Sequence, residues 1–205
     1  MTRVKICGIT REQDADAAVR LGAAAIGIVC WPPSPRFVEI GRARAIVASL
    51  PPFVTAVGVF ANQPVDEVRR IAEAVGVGAV QLHGQERQAD YSSLRQALIK
   101  AIAVSAETPP DDALAVPANV TVLLDAHDPE RLGGTGRTID WRTAAAVARR
   151  RRVILSGGLR AENVRDAIGL VRPYAVDVSS GVEVSPGVKD TAKLEAFFDA
   201  VMGSS

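Results

Sequence analysis

Four residues that can move a proton or meet a charged ligand stand at the ends of, or inside, short apolar runs: Cys7, His83, Asp125 and Asp177. Cys7 closes Val4-Lys5-Ile6, and a lone cysteine in such a run is ordinarily a buried hydrophobe. Asp125 follows Val122-Leu123-Leu124, so its carboxylate must either find partners or serve a site, and the two readings stand level. Asp177 sits inside Val176-Asp177-Val178, where burial of a charge is again costly. His83 ends Gln81-Leu82-His83 and can polarise a ligand or simply form a hydrogen bond, the quieter reading being preferred. Arg36 follows Ser34-Pro35; its planar fork suits a carboxylate, although a loop arginine is more often solvated. Cys30 and Trp31 are expected to pack beneath the same loop.

A second chemistry is written in backbone. Gly133-Gly134-Thr135-Gly136, Ser156-Gly157-Gly158 and Ser179-Ser180-Gly181 are segments in which peptide N–H groups can approach an anion closely, with hydroxyl donors beside them. Candidate phosphate-binding positions are therefore Gly134, Thr135, Gly136, Gly157, Gly158, Ser179 and Ser180. Tight turns alone would also explain a glycine pair. Three such segments, all late in the chain and one leading into a helix near Glu162, favour the anion site.

These residues need a frame that brings strand ends together. Eight strand-like runs can be counted, at Val4–Cys7, Ala25–Val29, Thr55–Phe60, Ala79–Leu82, Ile99–Val104, Val120–Leu124, Arg152–Leu155 and Ala175–Val178. Most are continuously apolar, as strands covered on both faces are. Helical stretches fall between them, at Gln13–Leu21, Gly41–Leu50, Val65–Val75, Glu86–Ala97, Trp141–Arg149, Glu162–Leu170 and Thr191–Met202. Pro109, Pro110 and Pro117 make the fifth helix short or irregular. The alternation predicts an α/β chain whose residues 1–205 form one (β/α)₈ TIM barrel, with a doubly wound sheet as the competitor. No G-x-G-x-x-G follows the first strand, and glycine-rich loops after the last three strands suit the barrel, whose active face gathers every C-terminal strand end.

Composition removes several classes of function. A net charge of +1 gives no case for nucleic acid, and the block Arg149-Arg150-Arg151-Arg152 reads as a solvated helix end. No apolar run reaches a membrane span and no secretory leader is visible, so no membrane partner is expected. Two cysteines at positions 7 and 30 fit neither a metal knuckle nor a disulfide framework, which points to free thiols and the cytoplasm. With only two histidines a metal-dependent epimerase is poorly supplied with ligands. Oligomeric state, monomer or homodimer, is left open.

Read in order, Lys5-Ile6-Cys7-Gly8-Ile9-Thr10, Ser34-Pro35-Arg36, Val57-Gly58-Val59-Phe60, Val80-Gln81-Leu82-His83-Gly84, Leu123-Leu124-Asp125, Gly133-Gly134-Thr135-Gly136, Gly157-Gly158-Leu159 and Val176-Asp177-Val178-Ser179-Ser180-Gly181-Val182-Glu183 resemble the phosphoribosylanthranilate isomerases. The resemblance implies an Amadori rearrangement of a phosphorylated small molecule, with no cofactor and no metal. It assigns Asp125 as general acid, Cys7 as general base, Arg36 as the holder of the anthranilate carboxylate and the glycine segments as the phosphate cradle; His83 and Asp177 fall in the substrate site. Ser156 and Cys30-Trp31-Pro32-Pro33 depart from the family's more usual residues, the latter beside the anthranilate pocket. Other readings are a different sugar-phosphate barrel enzyme or a non-catalytic barrel binding a phosphorylated ligand.

Overall fold

A computed structural model describes residues 2–104, 111–126 and 139–203. Eight parallel strands close on themselves in sequence order: β1 (Arg3–Ile6), β2 (Ala25–Val29), β3 (Thr55–Phe60), β4 (Ala79–Leu82), β5 (Ala97–Val104), β6 (Thr121–Ala126), β7 (Val153–Leu155) and β8 (Ala175–Val178). Closure is decided by β1, which pairs with both β2 and β8, so a doubly wound sheet is excluded. The fold is a (β/α)₈ barrel. Its inside is packed by alternate strand residues such as Val57, Ile99, Leu123 and Ile154, while the intervening residues, Ile26, Val80 and Leu124 among them, meet the helices.

The described helices are α1 (Glu12–Arg20), α2 (Ile40–Ala48), α3 (Val65–Val75), α4 (Asp111–Ala115), α5 (Trp141–Ala148), α6 (Ala161–Val171) and α7 (Thr191–Met202). In α3, Val68, Ile71, Ala72 and Val75 are buried, a stripe at helical spacing, and Gly76 ends the helix at φ 82° with its N–H on the Ala72 carbonyl. Asp140 begins α5 by accepting from the N–H groups of Arg142 and Thr143. None of the described helices is long and apolar enough to cross a membrane.

Two expectations need correction. The helix expected over Glu86–Ala97 is only a 3₁₀ turn at Gln88–Tyr91, and β5 starts at Ala97. Tyr91 and Leu94 are the only large apolar side chains between residues 86 and 96, too few to dock a helix, and Glu86 is drawn inward to Lys100. The arginine block is not simply a solvated end either. Arg151 donates to the carbonyls of Ala113, Val116, Pro117 and Val120, tying down α4 and the chain that enters β6. The short α4 agrees with the prolines around it.

One element was not anticipated. After a 3₁₀ turn at Ser180–Val182, strands β9 (Glu183–Ser185) and β10 (Val188–Lys189) form a small antiparallel hairpin whose turn uses Gly187 at φ 81°. It lies over the loop that leaves β1: Thr10 Oγ1 donates to the Gly187 carbonyl at 2.6 Å, and Lys189 N donates to Asp14 Oδ2 at 3.1 Å. The hairpin thereby caps the mouth of the barrel beside Cys7.

Candidate active site

A cavity of about 620 Å³ opens at the C-terminal ends of the strands. Cys7, Arg36, His83, Asp125, Asp177 and Ser179 all line it, so one site brings together side chains that lie far apart in the chain.

Beneath it, strand alternation turns Lys5 and Cys7 to the same side. Gly27 on the neighbouring strand makes room for both: a β-carbon there would lie 2.8 Å from Cys7 Sγ and 3.1 Å from Lys5 Nζ. Lys5 is opposite Asp177 in the β1–β8 register and its Nζ donates to Asp177 Oδ1 at 2.8 Å. Burial works against the Lys5 ammonium, but Asp177 and Cys7 outweigh it and hold its pKa above the ordinary lysine value. Burial is also the largest influence on Cys7 and raises its thiol pKa; Lys5 and Lys189 pull the other way, Asp177 adds to the rise. In the free protein Cys7 is therefore the thiol near neutral pH. Asp177 also accepts from Ser156 Oγ at 3.4 Å.

Asp125 is near the end of β6 and lines the same cavity as Cys7. Its Oδ1 accepts from Ala126 N at 2.9 Å and its Oδ2 lies 3.2 Å from His83 Nε2. Gln81, two residues before His83 and on the same face, donates from Nε2 to His83 Nδ1 at 2.9 Å. An amide nitrogen donates, so the ring proton falls on Nε2, the nitrogen 3.2 Å from Asp125 Oδ2. Gln81 Oε1 and Ser179 Oγ are buried without a hydrogen-bond partner among the described residues, and both side chains face the cavity. Polar atoms left in this state usually await a ligand or solvent.

Arg36 reaches the cavity from the loop after β2. Ser34 turns that loop by accepting from Arg36 N at 3.1 Å, and Val38 N returns to the Val29 carbonyl. The arginine stem crosses Gly8, which has φ 73°; a β-carbon there would stand 2.5 Å from Arg36 Cδ and 2.9 Å from Ser179 Oγ. Far from being solvated, Arg36 is paired with Glu183 through Nε and Nη2. Trp31 lines the cavity, whereas Cys30 is buried behind it with a thiol pKa pushed up by burial to about 12.

Of the phosphate candidates, Ser179 lines the cavity directly, while Gly157, Gly158 and Ser180 stand just outside the lining next to Ser156 and Ser179. Gly157 and Gly158 take φ values of 84° and 63°, and their N–H groups donate to no described residue. Asn163 shapes this turn, accepting from Arg160 N and donating to the Gly158 carbonyl. Gly181 packs directly on the Leu159 carbonyl, joining the loops after β7 and β8. Gly134, Thr135 and Gly136 lie outside the described residues.

Sequence reasoning missed Glu183 as a site residue and Lys189 altogether. Lys189 Nζ donates to the carbonyls of Cys7 and Ser179 and to Glu183 Oε1. Two charges flanking Ser185-Pro186-Gly187 were the available signal for a turn whose strands carry partners inward.

A family model described as N-(5'phosphoribosyl)anthranilate (PRA) isomerase matches residues 4–200. The chain belongs to this family. A relative from Pseudomonas paraeruginosa (strain DSM 24068 / PA7), named N-(5'-phosphoribosyl)anthranilate isomerase, is 48% identical over 203 residues, covering 97% of this chain and 94% of its own. The crystal structure of phosphoribosyl anthranilate isomerase from Thermotoga maritima superposes with a TM-score of 0.92 at 44% identity, over 99% of this chain and 100% of that one. A family structure in complex with reduced 1-(o-carboxyphenylamino)-1-deoxyribulose 5-phosphate gives 0.89 at 42% identity, with coverage of 99% and 100%.

Proposed function

We propose that this chain is a phosphoribosylanthranilate isomerase of tryptophan biosynthesis that opens N-(5-phosphoribosyl)anthranilate and rearranges it to 1-(2-carboxyphenylamino)-1-deoxyribulose 5-phosphate, with Asp125 as general acid and Cys7 as general base. The observation that carries this reading is that one cavity is lined by a carboxyl group, a thiol, a guanidinium and a partnerless hydroxyl beside a glycine turn. Each answers one part of the substrate.

Asp125 donates a proton to the furanose ring oxygen. The bond from that oxygen to C1′ breaks, and the anthranilate nitrogen supplies the electron pair that makes the Schiff base. Cys7, as the thiolate left when its thiol releases its proton to solvent, then takes the proton from C2′; the C–H electrons form the C1′–C2′ double bond and the nitrogen recovers its pair. The resulting enolamine tautomerises to the ketone. His83, its Nε2 3.2 Å from Asp125 Oδ2, sits against the acid and holds its carboxyl group in place. Lys5 provides the positive charge beside Cys7 as its thiol ionises, and Asp177 holds Lys5 there. Arg36 receives the anthranilate carboxylate, while Ser179, Ser180, Gly157 and Gly158 supply donors for the phosphate, with Gly134, Thr135 and Gly136 as further candidates.

All the side chains used come from one chain, so the chemistry serves a monomer or a homodimer alike. The free thiols of Cys7 and Cys30 fit a cytoplasmic setting. The test is turnover of the aminoaldose, followed by loss of the anthranilate-adduct fluorescence, in Cys7→Ala and Asp125→Asn. Each removes one required proton transfer and is expected to lower kcat by about 10²-fold or more with the fold intact. Full activity in either variant defeats the assignment of that residue, and no growth of a tryptophan auxotroph lacking this isomerase defeats the reaction itself.

A further inference from the structure

Glu183 Oε1 accepts from Lys189 Nζ at 2.8 Å, from Gly187 N at 3.2 Å and from Arg36 Nε at 2.9 Å. Its Oε2 accepts from Arg36 Nη2 at 2.7 Å. The carboxylate is buried and fixed on its own side by the β9–β10 hairpin, and Lys189 ties that hairpin to the carbonyls of Cys7 and Ser179. Arg36 is thus a long side chain held by one edge of its guanidinium. Among the described residues its Nη1 has no hydrogen-bond partner, and the side chain lines the cavity.

We infer that Glu183 is a positioning residue that locks the guanidinium of Arg36 so that its Nη1 edge is presented to the carboxylate on the aromatic ring of the substrate. This rests on the proposed role of Arg36. A free arginine would lose rotamer freedom on binding, whereas one already clamped by a buried carboxylate loses little, so the gain is in substrate affinity. The same clamp sets distance: Lys189 joins Glu183 to the ends of β1 and β8, which fixes the arginine relative to Cys7 and Ser179.

The experiment is a double-mutant cycle between Glu183→Gln and Arg36→Met, read by steady-state kinetics with the aminoaldose and by competitive inhibition with inorganic phosphate. A glutamine can keep its oxygen on Lys189 and Gly187 while its NH₂ group meets Arg36 Nη2, breaking that contact selectively. The expected result is a KM raised about tenfold with kcat changed by less than about threefold, since uniform binding is what is lost. In the Arg36→Met background the same swap should change KM by less than about twofold, because its target is gone. The phosphate inhibition constant should be unchanged. An equal KM rise in both backgrounds, no rise at all, or a parallel loss of phosphate inhibition overturns the inference. If Arg36→Met itself leaves KM unchanged, the carboxylate role of Arg36 fails; if it raises KM while Glu183→Gln is silent, only the role of Glu183 fails. Glu183→Asp, which keeps the charge facing Lys189 but draws it back from Arg36, repeats the test should the glutamine variant not fold.

Discussion

Lys5 and Asp177 face each other across the β1–β8 seam and close a buried 2.8 Å ion pair directly beneath Cys7. The pair closes the barrel at the one seam between the first and last strands, and its lysine is the nearest counter-charge for the thiol. Neither charge would be tolerated alone at this depth.

Removing one partner should therefore cost far more than removing both. Lys5→Met leaves the Asp177 carboxylate buried and unpaired and is expected to destabilise the fold by about 3–5 kcal/mol in urea unfolding, with Lys5→Met/Asp177→Leu recovering most of the loss. A single variant within about 1 kcal/mol of the parent would contradict this. The sign with pH follows from a folded-state Lys5 pKa above the ordinary lysine value. The contribution is complete below about pH 10.4, the unfolded value, and fades only as pH rises through the higher folded value.

Cys7 should behave as a buried thiol until it is ionised. Burial, reinforced by Asp177, lifts it above 9.0 against the pull of Lys5 and Lys189. Iodoacetamide at pH 7 is expected to modify Cys7 in the free protein about tenfold or more slowly than the same cysteine in the unfolded chain, with the rate climbing as pH passes 9. Cys30, pushed to about 12, should label more slowly still. Mass-spectrometric mapping separates the two sites, and labelling of Cys7 at the unfolded-chain rate would show that the thiolate exists at rest.

The strands and the longer helices were legible because their signal is local. Thr55–Phe60 and Val65–Val75 have the bounds expected from apolar runs and periodicity, since burial on both faces of a strand, or one stripe of a helix, leaves a pattern within about ten residues. Glu86–Ala97 departs from the expected helix for the same reason: the segment lacks the apolar stripe that docks one, and only a 3₁₀ turn forms at Gln88–Tyr91. Cys7 and Asp125 could be placed at strand ends, but their significance is non-local. Lys5 meets Asp177 across 172 positions of sequence and Arg36 meets Glu183 across 147, and no spacing within a segment encodes such a contact. Family resemblance supplied the chemistry of Cys7; the geometry adds the cation beside it and the cost of ionising it.

Gly8 is a test of how closely the arginine and the serine must approach the end of β1. Gly8→Ala would place a β-carbon 2.5 Å from Arg36 Cδ and 2.9 Å from Ser179 Oγ, at a φ of 73° that alanine adopts with strain. Displacing both groups should lower kcat/KM by about 10–100-fold. Gly22→Ala is the matched control, with φ 101° and nothing within 4 Å: it carries the backbone strain without touching the site. Its kcat/KM should stay within about twofold of the parent. Equal losses in the two variants would mean that strain alone, not the crossing of Arg36 over Gly8, explains the effect.

In the proposed phosphate site the loops after β7 and β8 must stay in register, and Gly181 is where they touch. A β-carbon at that position would overlap the Leu159 carbonyl, so Gly181→Ala must part the loop after β8 from the loop after β7. Inorganic phosphate at ten times its dissociation constant should stabilise the parent by about 1.4 kcal/mol through mass action, seen as a rise in melting temperature. Gly181→Ala should melt at a lower temperature and lose that rise, because Ser179 and the Gly157-Gly158 turn no longer converge on one anion. A variant that is destabilised yet keeps the full phosphate shift would move the anion site away from these loops.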